Sequence, residues 1–572
     1  MGSFQKIRKG MGRHVLGLSI GQFLGMTILA YVFCAIYDPF FYDYSLKPLI
    51  VRQVYSTALS LLFLYILTSI PRVGVVIYSL AVVFFTICAY TYRTFKYSMG
   101  FDLINAVFET NSDEASAFVN FSSILSVCTL ILAGGIVFWL FRMLTRNHRM
   151  YLRKYGWKRL SFAYTCLAAV WYCAFLFPSV AIELRPSLHY TMADETLKHD
   201  IELFVPAHHH TLIEHWRWQY QNIGVLVDSL HEKFKTVDIT ESSVCNSRLT
   251  NEDPIVCVLI IGESLRADHI PAGGYERDTL PHIKDNSDIT FFRNMFSHGT
   301  STYVSIEGIM GALTEDKEKP RYSSFLSILK KHGFYNLWVA ENTYNIVHSQ
   351  YFNQLFGTGV SRTLELRGSI EAVSSDVLKA IDENPSPLKF VLIENGTGHF
   401  PYKHDPQVSP FKPANIDWED AHARSNVTTE MFINDYDNCI ACVDLLMQRL
   451  IEGLQNRNAV ILYCSDHGQK LGEYGRFMHG GNTEDMDLRH VASWIWYSNA
   501  YKENNPQVVE KTARISDKIL SQGQLYASIL TLCHIESDIP LKVGDIWSDD
   551  ITKHPNNLPE SVKQGGKPAA AE

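Results

Sequence analysis

The stretch Ile255-Val256-Cys257-Val258-Leu259-Ile260-Ile261-Gly262-Glu263-Ser264 decides the fold of the larger part of this chain. Seven apolar residues in succession read as a strand buried on both faces, and the run stops on a glycine, an acid and a hydroxyl. Three more runs of this kind follow, at Asn336–Ala340, Phe390–Ile393 and Ala459–Tyr463. Helical stretches lie between them, notably Ser323–His332 and Asn434–Leu454. Strands alternating with helices predict a mostly parallel sheet covered on both faces, an α/β/α domain over residues 251–553.

Ligands of such a sheet gather at the carboxyl ends of its strands. Glu263 stands at the end of the first run, and Asp466-His467-Gly468 follows the last. The third leads through Glu394 to Gly398-His399. Any one of these could be a turn or a helix cap. Acids and imidazoles at three separate strand ends point instead to a metal site with oxygen and nitrogen donors, which suits Zn²⁺. His298-Gly299-Thr300-Ser301-Thr302 precedes an apolar helical stretch. That is ordinary N-cap chemistry, and it is also what a phosphoryl-transfer nucleophile requires: a hydroxyl at a helix N-terminus, activated by a metal.

Working outward, five apolar stretches occupy the first 180 residues: Val15–Ile36, Val54–Ile70, Val73–Tyr92, Phe121–Leu144 and Leu160–Val180. Each has about the length that crosses a bilayer core, and none holds an acid. Lys6, Arg8, Lys9 and Arg13 precede the first; Arg72 and the cluster from Arg146 to Arg159 fall on the same side. The N-terminus is therefore expected in the cytoplasm and everything after residue 181 outside it. Residues 181–250 read as a linker with an interfacial helix at Thr211–Tyr220, where Trp216, Trp218 and Tyr220 suit the headgroup layer. The adjacent His208, His209 and His210 cannot all face one ion on a regular helix and read as a solvated patch. Residues 554–572, rich in Pro, Gly, Lys and Ala, read as a disordered tail.

The overall charge of −8 conceals this division. Residues 1–180 hold 16 Lys+Arg against 6 Asp+Glu, and the remainder 35 against 53. An acidic outer part and a pI near 6.3 argue against nucleic acid as a partner.

Several of these residues recur in order in a known family. Gly262-Glu263-Ser264, Gly274-Tyr275 with Arg277-Asp278-Thr279 and Pro281, Gly299-Thr300-Ser301-Thr302, Gly398-His399, Asp435-Tyr436-Asp437-Asn438, Ser465-Asp466-His467-Gly468 and His479-Gly480 resemble the bacterial phosphoethanolamine transferases of the alkaline-phosphatase and sulfatase-like superfamily. Phe108-Glu109-Thr110-Asn111 with Glu114-Ala115 is similar to the family's membrane-loop motif.

The resemblance implies five transmembrane helices and a periplasmic catalytic domain in the bacterial inner membrane. It implies Thr300 as the nucleophile, and Glu263, Asp466, His467 and Thr300 as ligands of a catalytic zinc. His399 and His479 would bind substrate, assist proton transfer or hold a second zinc; Asn111 and Glu114 would dock the donor headgroup or cap a short helix. Phosphatidylethanolamine would be the donor, and lipid A, the lipopolysaccharide core or another envelope glycan the acceptor, with the enzyme a monomer among membrane lipids.

Rival readings are a phosphoglycerol transferase, a transferase acting on periplasmic glucans, and a non-catalytic membrane scaffold. A sulfatase is disfavoured because no C/S-x-P-x-R motif surrounds the candidate nucleophile. The chain departs from the pattern at His298 and at Glu307-Gly308, where related lipid A enzymes carry disulfide-forming cysteines, and between Glu341 and His348, where it lacks the family's substrate-binding lysine. Cys439 and Cys442, one helical turn apart, are expected to be free buried thiols.

Overall fold

The structure is a computed structural model that describes residues 14–37 except 16 and 17, eight positions between 57 and 68, and residues 72–95, 121–146, 239–313, 322–341, 350–416, 427–473, 477–479, 485–548, 558, 559 and 562. The described residues fall into two compact units, one before residue 147 and one after residue 238.

The first unit contains α1 (Ile20–Tyr37), α2 (Val73–Phe95) and α3 (Phe121–Leu144). Its polarity is that of a protein facing lipid. Met26, Phe33, Tyr78, Phe138 and Phe141 are buried between the helices, while Ile28, Leu80 and Leu132 lie on the outside, each more than 60% exposed. Tyr37 and Tyr78 keep their hydroxyls off that outer face by donating to the Leu130 and Gly134 carbonyls of α3, at 2.6 and 2.8 Å. Three of the expected spans are thus helices. The described positions of the second, between 57 and 68, are also helical, and the fifth lies outside the described residues. Among the described residues, Ser123–Leu144 is long and apolar enough to cross a membrane, with Gly21–Tyr37 and Val73–Ile87 as shorter apolar helices.

The second unit is built on a seven-stranded sheet. In chain order its elements are β1 (Ile255–Gly262), β2 (Ile289–Phe291), α4 (Thr302–Met310), β3 (Tyr335–Glu341), β4 (Arg362–Leu366), α5 (Ile370–Glu383), β5 (Leu388–Asn395), α6 (Thr429–Leu454), β6 (Ala459–Ser465), β7 (Ser493–Tyr497) and α7 (Leu525–Leu532). The spatial order is β2-β7-β6-β1-β5-β3-β4. The five strands from β6 to β4 are parallel, and β7 and β2 add an antiparallel edge.

Alternation along β1 shows why its apolar run is uninterrupted. Cys257, Leu259 and Ile261 face one core with Ile306 and Ile309 of α4 and Ile529 of α7. Val256, Val258 and Ile260 face another with Val377 of α5 and Leu446 of α6. Both sides of the strand are dry, so no polar residue is tolerated in it. The register then brings Gly262 beside Ser465 and Asn395, which sets the ends of β1, β6 and β5 at one level.

Two boundaries differ from the sequence reading. Ser242, placed in the linker, is buried and bonded to Ser323, Ser324 and Ser327, and Ser247–Leu249 pairs with Ile535–Ser537. Leu558 and Val562, placed in the tail, are buried beside Phe296. Isolated apolar residues in a polar segment carry no periodicity, yet each finds a dry contact. The interfacial helix at Thr211–Tyr220, together with Asn111 and Glu114, lies outside the described residues.

Candidate active site

The ends of β1 and β6 interlock through backbone groups. Asp466 Oδ1 accepts the N–H groups of Ser264 at 2.9 Å and His467 at 2.6 Å. Its other oxygen, Oδ2, is buried without a hydrogen-bond partner. It lies 3.3 Å from His467 Nε2, and Glu263 Oε1 lies 3.5 Å from the same nitrogen. His467 Nδ1 donates to the Gly468 carbonyl at 2.8 Å, which fixes the tautomer and leaves Nε2 as a lone-pair donor facing both acids. His479 Nδ1 is held by Gln469 Oε1 at 2.9 Å, and its ring stands 4.1 Å from that of His467. Donor atoms of Glu263, His467 and His479 all lie within 4.8 Å of one another.

His399 approaches from the loop after β5, with ring centroids 6.4 Å from His479 and its Nδ1 bonded to the Phe400 carbonyl. This loop packs so closely that a Cβ on Gly398 would lie 2.0 Å from the Glu263 carbonyl oxygen, so only glycine fits there.

The hydroxyl against this group belongs to Thr302. Its Oγ1 donates to Glu263 Oε2 at 3.3 Å and lies 3.2 Å from His467 Nε2. Thr302 is the first residue of α4, so the N-terminal end of the helix dipole faces the site. Thr300, the residue singled out in the sequence, is 1% exposed and precedes the helix by two positions.

Electrostatics make the group unsatisfied as it stands. Burial, then the charge of Glu263, pushes the Asp466 carboxyl well above the usual carboxylate range. Burial acts on Glu263 in the same direction, but His467, His399 and hydrogen bonds from Ser264 and Thr302 hold it below that range. Burial, then His467 and His399, keeps His479 well below the ordinary imidazole range. Two buried acids, an orphaned carboxylate oxygen and a converging imidazole form a set that a divalent cation would neutralise.

Two stretches of the signature hold each other rather than the site. Asp437 on α6, fully buried, takes Tyr275 Oη at 2.8 Å, Arg277 Nη1 at 2.9 Å and His269 Nδ1 at 3.0 Å. Asp435 accepts the Asn415 and Ile416 N–H groups at 2.6 and 3.0 Å. Tyr436 Oη accepts the Arg266 N–H and donates to the Ser264 carbonyl, which ties α6 to the end of β1. Cys439 and Cys442 are buried free thiols, as expected.

Residues 56–186 match the family described as Phosphoethanolamine transferase EptA/EptB, and residues 256–535 match the Sulfatase family. Together these matches support the phosphoethanolamine transferase family. The transferase is 24% identical over 464 residues to phosphoethanolamine transferase EptC of Escherichia coli K12, covering 76% of this chain and 75% of that one. It is 25% identical over 302 residues to the Kdo(2)-lipid A phosphoethanolamine 7''-transferase of the same strain, covering 49% and 52%. Its fold is similar to the integral membrane lipooligosaccharide phosphoethanolamine transferase A of Neisseria meningitidis, with a TM-score of 0.68 at 20% identity over 91% of this chain and 97% of that one. The transferase therefore pairs a transmembrane unit with a sulfatase-like α/β/α unit.

Proposed function

We propose that this chain moves phosphoethanolamine from phosphatidylethanolamine to a cell-envelope glycan, lipid A or the lipopolysaccharide core, with Thr302 as its nucleophile. The observation that carries the reading is the Thr302 hydroxyl, set between Glu263 and His467 at the start of α4. Thr302 takes both roles that the sequence reading gave to Thr300.

The orphaned Asp466 Oδ2 and the lone pair of His467 Nε2 fit zinc, whose ligands here would be Glu263, Asp466, His467 and Thr302 Oγ1. His479 stands within reach of the same group. Zinc at this place would lower the pKa of the hydroxyl and offset charge on the phosphoryl oxygens.

The chain's own residues carry the transfer. Thr302 Oγ1 forms the new bond to phosphorus as the bond from phosphorus to the diacylglycerol oxygen breaks. The proton of Thr302 passes to Glu263 Oε2, to which Oγ1 already donates, and His399, its Nδ1 held by the Phe400 carbonyl, gives the leaving oxygen a proton from Nε2, while neutral His479, held by Gln469, presents Nε2 to the substrate side as an acceptor. An acceptor hydroxyl or phosphate then attacks phosphorus, and Thr302 Oγ1 leaves and takes back a proton. The apolar helices would hold the enzyme in the inner membrane as a monomer, with Asn111 and Glu114 at the donor headgroup and the catalytic unit in the periplasm.

Incubation with phosphatidylethanolamine and peptide mass mapping test this assignment. The phosphoethanolamine adduct is expected on Thr302; Thr302→Ala should lose both the adduct and diacylglycerol release, and Thr300→Ala should keep the adduct. An active Thr302→Ala enzyme would overturn it.

A further inference from the structure

Three hydrogen bonds to backbone groups converge on the side-chain amide of Gln522, which has no exposed surface and also lies 3.9 Å from Cys464 Sγ. Its Oε1 accepts the backbone N–H of His298 at 2.6 Å. Its Nε2 donates to the carbonyls of Ser465 at 2.7 Å and Asp466 at 2.6 Å. An amide has two N–H donors and one oxygen, so both donors are committed and the oxygen is engaged.

The two segments joined in this way are those whose separation governs the reaction. His298 leads through Gly299 into the helix that starts at Thr302, and Ser465-Asp466 ends β6 and carries His467. The Asp466 N–H is already bound to the Gly262 carbonyl at 2.8 Å, so β6 is referenced to β1. The amide refers the helix to both.

Gln522 is itself held in place. It opens a short turn, Gln522–Gln524, in which Ser521 and Gln524 form a capping box before α7. On the other side of the loop the His298 side chain packs closely against α4: a Cβ at Gly308 would sit 2.3 Å from His298 Cβ and Cγ.

We propose that Gln522 is a positioning residue for the transfer, its carboxamide setting the separation between the helix bearing Thr302 and the strand end bearing Asp466 and His467. The proposal rests on Thr302 as the nucleophile. It predicts an effect on the chemical step rather than on lipid binding, because a misplacement of about 1 Å costs on the order of 100-fold in rate.

Gln522→Met keeps the length and removes every hydrogen bond. With full-length enzyme and phosphatidylethanolamine, kcat for diacylglycerol release should fall about 100-fold with KM unchanged. Amide hydrogen exchange across His298–Thr302 should speed up about 10-fold or more, while β1 and α6 stay protected. Should the methionine variant not fold, Gln522→Glu decides on the same two readouts: it keeps the acceptor for His298 and loses both donors. A kcat within about 3-fold of wild type in the folded variant would refute the proposal, as would unchanged exchange at His298–Thr302. If the wild-type enzyme released no diacylglycerol, the donor assignment would fall, and the exchange result would still decide whether Gln522 holds the two segments.

Discussion

Asp466→Asn should change stability in opposite directions with and without zinc. Asparagine keeps the two backbone bonds that Oδ1 now accepts from Ser264 and His467. It replaces the orphaned Oδ2 by an N–H₂ group 3.3 Å from His467 Nε2, whose lone pair is available because Nδ1 donates to Gly468. A carboxyl whose charged form burial and Glu263 disfavour is thereby exchanged for a neutral amide that donates to His467. Satisfying such an orphan is worth about 1–3 kcal/mol. For a domain of a few hundred residues, about 2 kcal/mol raises Tm by roughly 4–8 °C.

Bound zinc reverses the comparison. With free zinc at about 100 times Kd, the wild-type protein gains about 2.7 kcal/mol, and losing a carboxylate ligand forfeits most of it. The assay is thermal unfolding of the full-length protein in detergent, followed by tryptophan fluorescence from Trp494 and Trp496 in the core. With a chelator the variant should melt above wild type, and with zinc below it. A shift of the same sign in both conditions would refute the view that two buried acids are assembled here for a cation.

Two other perturbations probe the scaffold. Arg266, 3% exposed, reaches Asp268, Glu473, Asp487 and the Gln469 carbonyl beneath the His467 loop. Burial would raise the Asp268 carboxyl, but the Arg266 hydrogen bond and charge outweigh it and bring it from 3.8 to about 2. That lowering corresponds to about 2.5 kcal/mol, reduced to about 1 kcal/mol because the Asp268 side chain is 40% exposed. The contribution is complete above pH 3.8 and lost as pH falls through about 2. Arg266→Met should therefore lower stability at pH 7 by about 2–3 kcal/mol in urea titrations, with the gap to wild type narrowing below pH 4. Asp437→Ala removes the anchor of Tyr275, Arg277 and His269, and about 3 kcal/mol should be lost at equilibrium with no change in zinc stoichiometry.

Local pattern was enough for the sheet and for the acids and imidazoles that meet at its edge. The four apolar runs became β1, β3, β5 and β6 within about two residues at each end, because a strand dry on both faces leaves an uninterrupted apolar signature. Glu263, Asp466, His467, His399 and His479 were legible because each is chemically conspicuous at or near a strand end. The antiparallel edge was not legible: Ser493–Tyr497 shares its apolar character with the parallel strands, and direction is a property of connection.

Tertiary structure brought a hydroxyl of the nucleophile loop to the acids. Thr300 and Thr302 share one side-chain chemistry and one loop, and the start of α4 sets the Thr302 hydroxyl 3.3 Å from Glu263 and 3.2 Å from His467. It also decided the part of Gln522, which lies 224 residues from His298 and 56 from Asp466. A neutral amide has no motif, and its meaning comes from the three backbone groups that folding brings around it. Short-range pattern records what a segment must bury, whereas the placement of a reacting atom depends on long-range contacts that no local pattern contains.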